Sequence, residues 1–136
     1  LCATPIVMSL IPRNRWADGK IGAAGSDFAV WAKAAADQAG APFIPLNDMV
    51  TEALQKIGEE KVTAEYFPVR EAVHPNWTGA VLISGLVADG IRKLDVPLKQ
   101  YLVASPNVPA VPDIAPPTLG DLGPKEMKPK SRTPTA

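Results

Sequence analysis

The segment Pro5-Ile6-Val7-Met8-Ser9-Leu10-Ile11 limits the possible fold more than any other part of the chain. An almost unbroken apolar run of this length, stopped by Pro12, fits a β-strand buried on both faces. Strands of that kind belong to parallel sheets covered by helices on either side. A strand so apolar also needs neighbours along both edges, because an open apolar edge invites aggregation. Only Pro42-Phe43-Ile44-Pro45-Leu46 qualifies as a partner, and its two prolines suit an edge position. Two strands do not make a stable doubly wound sheet. The expectation is an α/β fold with a parallel sheet whose N-terminal strands are missing from this sequence. The missing N-terminal part of the same domain is then the first partner that the chain requires.

Helical patterns fill the spaces between these runs. Ser26 is a suitable N-cap, Asp27 sits in the first turn, and Phe28, Trp31, Ala32, Ala35 and Ala39 recur at helical spacing. Trp31 falls on the apolar stripe and is expected in the core. Gly40 is the expected stop. Asn47 or Asp48 can cap a second helix, with Val50, Ala53, Leu54 and Ile57 on its buried face and Gly58 at its end. Residues 59–75 read as an irregular connection around Tyr66-Phe67-Pro68. A last helix runs from about Trp77 to Leu94. Between the first strand and the first helix, Asp18-Gly19 marks a turn. Residues 1–95 form the folded unit on this reading. Residues 96–136 carry nine of the fifteen prolines and read as a linker or disordered tail.

Composition removes several classes of function. Fourteen basic and fourteen acidic side chains cancel, so no basic excess points to nucleic acid or an anionic membrane surface. No apolar run is long enough to span a bilayer. A single cysteine, Cys2, excludes an internal disulfide framework and a cysteine-rich zinc site, and reads as a small buried thiol. There is no HExxH motif, no phosphate-cradling glycine loop and no histidine–cysteine cluster. No cofactor or metal is called for.

The chemistry concentrates in Glu71-Ala72-Val73-His74-Pro75-Asn76-Trp77-Thr78-Gly79-Ala80, which holds the only histidine. Acyl-transfer hydrolases need an imidazole to take a proton from the nucleophile and a carboxylate to orient the ring. Glu71 precedes His74 by three residues, and a helix start follows, with its positive end toward the loop. Arg13, Asn14 and Trp16 lie just after the first strand, at the end of a parallel sheet where ligands bind, while polar loop packing is the alternative account of Arg13 and Asn14. Trp77, beside the candidate base, could wall a sugar site or staple the helix. Ser26 is explained by capping, Ser9 lies within a strand and Ser84 within the last helix, so no nucleophile stands out.

Over about Pro5 to Leu94 these residues resemble the C-terminal part of an SGNH (GDSL-type) hydrolase, most similar to the rhamnogalacturonan acetylesterases. The resemblance is carried by the strand Pro5–Ile11 with its loop Pro12 to Lys20, the helix Phe28–Ala39, the strand Pro42–Leu46 and, most sharply, the block Glu71 to Ala80. It implies a three-layer α/β/α, flavodoxin-like fold. It also implies that His74 is the general base and that Glu71 stands where the family has the triad aspartate. The glutamate is one methylene longer, which displaces the hydrogen bond to the ring. Arg13, Asn14, Trp16 and Trp77 would contact an acetylated, pectin-type polysaccharide such as rhamnogalacturonan. The family's serine block and its oxyanion-hole glycine and asparagine precede the strand at Pro5 and do not occur in this sequence. The chain alone is therefore expected to be inactive, and the resemblance implies an extracellular or periplasmic parent enzyme. Another SGNH activity, such as a lipase-like esterase, and a noncatalytic truncated α/β binding module are the alternatives.

Overall fold

A computed structural model describes residues 3–22 and 26–103. In chain order the elements are β1 (Val7–Met8), β2 (Trp16–Ala17), β3 (Lys20–Ile21), α1 (Ser26–Ala39), β4 (Phe43–Ile44), α2 (Leu46–Ile57), α3 (Glu59–Glu65) and α4 (Trp77–Lys93), followed by a 3-10 turn at Pro97–Tyr101. The architecture is α/β, mostly helical, with a small parallel sheet. β1 and β4 pair in parallel, Val7 opposite Phe43 and Met8 opposite Ile44. Parallel neighbours need a crossover connection, and α1 supplies it. Both strands are much shorter than the apolar runs that contain them, because regular pairing lasts only where the two chains lie side by side.

The sheet is covered on both faces. Adjacent residues of a strand point to opposite sides. Phe43 lines a groove with Ala29 and Val30 of α1. Ile44 packs instead against α4 at Gly90, where a Cβ would stand 2.6 Å from Ile44 Cγ2. A glycine at 90 therefore lets the helix backbone close onto the sheet. The core gathers Ile21, Ile44, Leu46, Val50, Leu54, Val62 and Phe67, with Leu82, Leu86 and Ile91 of α4 packed against it.

Several local expectations need correction. Trp31 does not enter the core: it is 63 % exposed, and Phe28, in edge-to-face contact with it at 5.3 Å between ring centres, is 57 % exposed. The sheet-facing side of α1 is made of small residues, with Ala36 fully buried. The stripe of alanines brings the helix close and turns the aromatic flank outward. Residues 59–75 are not irregular throughout. Gly58, at φ 93°, ends α2, and α3 starts again directly after it with Val62 completely buried.

Asn47 does not cap α2 by its side chain, since the helix starts one residue earlier, after Pro45. Its backbone N–H donates to Ser9 Oγ at 2.8 Å and its side-chain amide donates to the Leu10 carbonyl at 2.9 Å, so it ties α2 to the end of β1. Asp18-Gly19 does form a turn, with both residues at positive φ (51° and 70°), as a two-residue hairpin loop of the primed type requires. The β2–β3 hairpin around it was not expected. Gln55 of α2 clamps it, accepting from Ile21 N–H at 3.0 Å and donating to the Gly19 carbonyl at 2.7 Å.

Packing continues past α4: Val96 is buried and the turn at Pro97–Tyr101 lies against that helix. Cys2 and most of the Pro-rich tail, residues 104–136, lie outside the described residues. No helix among the described residues is long and apolar enough to cross a membrane.

Candidate active site

The loop between α3 and α4 is shaped by its own side chains before it does any chemistry. Arg70 takes a left-handed conformation, φ 65°, and turns the chain so that Glu71 N–H reaches the Pro68 carbonyl at 3.0 Å. The Glu71 carboxylate then folds forward over the next turn. Its Oε1 accepts from Val73 N–H at 2.6 Å and from His74 N–H at 3.2 Å. Its Oε2 meets His74 Nδ1 at 3.1 Å. One carboxylate thus holds both the backbone that carries the histidine and the ring itself.

The electrostatics follow from that geometry. The Val73 N–H, the His74 ring and the His74 N–H, in that order of influence, hold the Glu71 carboxyl at about 2, well below its ordinary 4.5. An ionised Glu71 only accepts hydrogen bonds, so a neutral His74 must carry its proton on Nδ1 when it faces Oε2. That tautomer leaves the Nε2 lone pair free. The ring is open to a reaction partner: the His74 side chain is 80 % exposed, against 34 % for Glu71. Such a pair is chemically able to act as a base and its orienting acid.

The start of α4 fixes where the ring stands. Asn76 caps the helix, its Oδ1 accepting from Gly79 N–H at 3.1 Å, while its amide donates to the Glu65 carbonyl at 2.9 Å. Asn76 N–H also donates to the Tyr66 carbonyl at 3.0 Å. A Cβ on Gly79 would stand 2.5 Å from that same carbonyl oxygen and 2.8 Å from Pro75 Cβ, so the first turn of α4 can lie against α3 only with glycine there. Asn76 and Gly79 therefore fix how the histidine loop leads into α4. The helix-start pattern in the sequence marks Asn76 as a cap, but its bonds to Tyr66 and Glu65 depend on α3, which the sequence did not reveal.

The other residues picked from the sequence are only partly brought together. The loop after β1 is pinned to the histidine loop by a hydrogen bond from Asn14 N–H to the Ala72 carbonyl at 2.8 Å. Trp16 joins it through its indole, Nε1 donating to Asn14 Oδ1 at 2.8 Å. Asn14 and Trp16 thus support each other, and Arg13 stands exposed beside them. Trp77 is 47 % exposed in the first turn of α4. No hydroxyl or thiol among the described residues hydrogen-bonds to His74. Ser9 is buried and bonded to Asn47, and Ser84 Oγ is turned back onto the Val81 carbonyl at 2.9 Å. No group of histidine, cysteine and carboxylate side chains among the described residues could hold a metal ion.

No family model matches the chain, and no characterised protein or solved structure is significantly similar to it.

Proposed function

We propose that this chain supplies the general base, His74, and its orienting carboxylate, Glu71, to a serine esterase that removes O-acetyl groups from a pectin-type polysaccharide such as rhamnogalacturonan. The observation that carries the reading is the hydrogen bond between Glu71 Oε2 and His74 Nδ1 on a loop whose free face is the exposed ring. In such an enzyme the serine hydroxyl attacks the ester carbonyl and His74 Nε2 takes its proton. His74 then returns the proton to the departing sugar oxygen as the tetrahedral intermediate collapses to an acetyl-enzyme. Water hydrolyses that ester in the second half of the cycle, again with His74 as base. The nucleophile and the oxyanion donors come from the N-terminal part of the same domain, so residues 1–136 alone have no activity. Asn14, Trp16 and Trp77, with Arg13 at the rim, form the polysaccharide-facing surface on this reading.

The test is His74→Ala in the complete gene product, assayed on acetylated rhamnogalacturonan and on an activated acetyl ester. The expected loss in kcat is a thousandfold or more, on the order seen when a triad base is removed. Thermal stability should be unchanged, because the ring is exposed. Glu71→Gln should also slow turnover strongly, whereas Glu71→Asp should be tolerated or improve it. Activity within tenfold of wild type for His74→Ala would refute the assignment.

A further inference from the structure

The cations of this protein are not spread evenly. Lys33, Lys56, Lys61, Arg92 and Lys99 each stand against a carboxylate three or four residues away. Arg13, Arg15, Lys20 and Arg70 have no such partner among the described residues. All four lie on the two segments that are pinned together beside His74, residues 13–20 and the loop at 70–74. Only Asp18 and Glu71 oppose them along those segments, and Glu71 is already engaged with His74 and the Val73 N–H. Cations paired within their own element leave a nearly neutral surface, whereas these leave a positive one.

Backbone bonds bring three of the four together. Arg15 N–H donates to the Arg13 carbonyl at 2.8 Å and closes a three-residue turn with Asn14 at its centre. Asn14 N–H in turn donates to the carbonyl of Ala72, which lies midway between Arg70 and His74 in the chain. Arg13, Arg15 and Arg70 are therefore rooted on both sides of one hydrogen bond between loops, close to the imidazole, and all three are exposed. Arg70 stands at φ 65°, a region that favours glycine and asparagine, so the turn itself does not call for an arginine. Two indoles accompany them: Trp16, held by Asn14 Oδ1, and Trp77, exposed in the first turn of α4.

From this arrangement we infer that the rim around His74 binds a polymer of uronic acids by its free carboxylates, with Arg13, Arg15 and Arg70 as the residues that read the charge. A guanidinium meets a carboxylate with two parallel N–H donors. Arginines rooted on two loops can meet successive acidic sugars, and the exposed indole of Trp77 offers a flat apolar face to a sugar ring. A nucleic acid also answers to positive charge, but the patch is confined to two segments. Elsewhere among the described residues carboxylates outnumber cations, which disfavours a long phosphate backbone. The choice of a uronic acid polymer rests on the esterase reading, whereas the preference for a polyanion at this rim does not. On that reading the arginines select the polysaccharide by its acid groups while His74 serves the acetyl ester, and a neutral acetylated polysaccharide is a poor substrate.

Calorimetric titration of the complete gene product tests the inference without reference to turnover. The probes are polygalacturonate, its methyl-esterified form, which keeps the sugars and loses the charge, and single-stranded DNA. Polygalacturonate should bind roughly tenfold or more tighter than the methyl ester, and the difference should shrink as salt is added. Arg13→Gln combined with Arg70→Asn should weaken that binding by about tenfold or more. Asparagine tolerates the left-handed backbone at 70, so the turn survives the change. Lys93→Gln, which removes a cation at the end of α4, should leave binding nearly unchanged. Equal affinity for the charged and the esterified polymer would overturn the inference. So would an equal loss in Lys93→Gln, or DNA bound more tightly than polygalacturonate. Charge-dependent binding by a product that His74→Ala leaves active would keep this inference and remove the esterase reading. Inactivation by His74→Ala with no preference for the charged polymer would do the reverse.

Discussion

On the side where α2 and α4 meet β4, apolar residues are enclosed: Val50 and Leu54 are buried to within 2 % and Ile44 to within 1 % of full coverage. Around β1, by contrast, Met8 and Leu10 of the strand segment and Phe28 and Trp31 of α1 remain in solvent, each more than two-fifths exposed. Both sides are built from residues that read alike in a sequence. The difference teaches that an apolar side chain contributes stability only where a second element lies opposite it. Trp31 has more apolar surface than Leu54 and contributes less in this structure, because the hydrophobic contribution follows the area removed from water.

The strongest way to break the comparison is a pair of truncations. Leu54→Ala should cost about 2–5 kcal/mol, as cavity-forming changes in a closed core do. Trp31→Ala in residues 1–136 should cost about 0.5 kcal/mol or less, as exposed changes do. Urea denaturation of both variants gives the two numbers. Equal costs would show that the aromatic flank is already covered in this chain.

A smaller loss is expected where the closed side is tightest. Gly90→Ala would press a methyl group into Ile44, and overpacking of this kind costs roughly 1–3 kcal/mol. Ile44→Val in the same chain should relieve part of it, and a double-mutant cycle reads that coupling. Strict additivity would mean that α4 shifts away rather than meeting the sheet side chain.

The smallest effect lies in the histidine loop, between the two sides. Glu71 has its carboxyl lowered to about 2 from 4.5, so the loop's hydrogen bonds favour the ionised form. The stabilisation is complete above the ordinary carboxylate range and disappears as pH falls through about 2. Below about pH 5 the amide resonances of Val73 and His74 should therefore move together, with a midpoint near 2. A midpoint near 4.5 would mean that Glu71 does not hold the loop. Glu71→Gln should remove the transition and lower the denaturation midpoint slightly at neutral pH.

How much of this was readable in advance depends on the range of the interaction. Gly40 stops α1 at φ 63°, and the Asp18-Gly19 turn closes where its residue types require, because both effects act within a few residues. The Glu71–His74 pair was legible for the same reason, lying three residues apart on one turn. The role of Asn47 was not legible. Its bonds run to Ser9 and Leu10, 38 and 37 residues away, and local pattern offers a helix cap as the nearer explanation. The side of α1 that faces the sheet was misjudged because periodicity identifies an apolar stripe but not which part of it is met. Alanine, which allows a close approach, took the contact, and tryptophan was left outside.

The sequence by itself determined the alternation of strand and helix, the parallel pairing of two apolar runs through a crossover, and a histidine with a carboxylate within reach. Those follow from backbone preference and short-range hydrogen bonding, which are written residue by residue. Tertiary structure alone decided that α4 closes on Ile44 through Gly90, that the Asn14 loop is pinned to Ala72, and that the edge of β1 and the aromatic flank of α1 stay open together. Those depend on which surfaces meet across the fold, and the free energy of burial is set by the partner as much as by the residue.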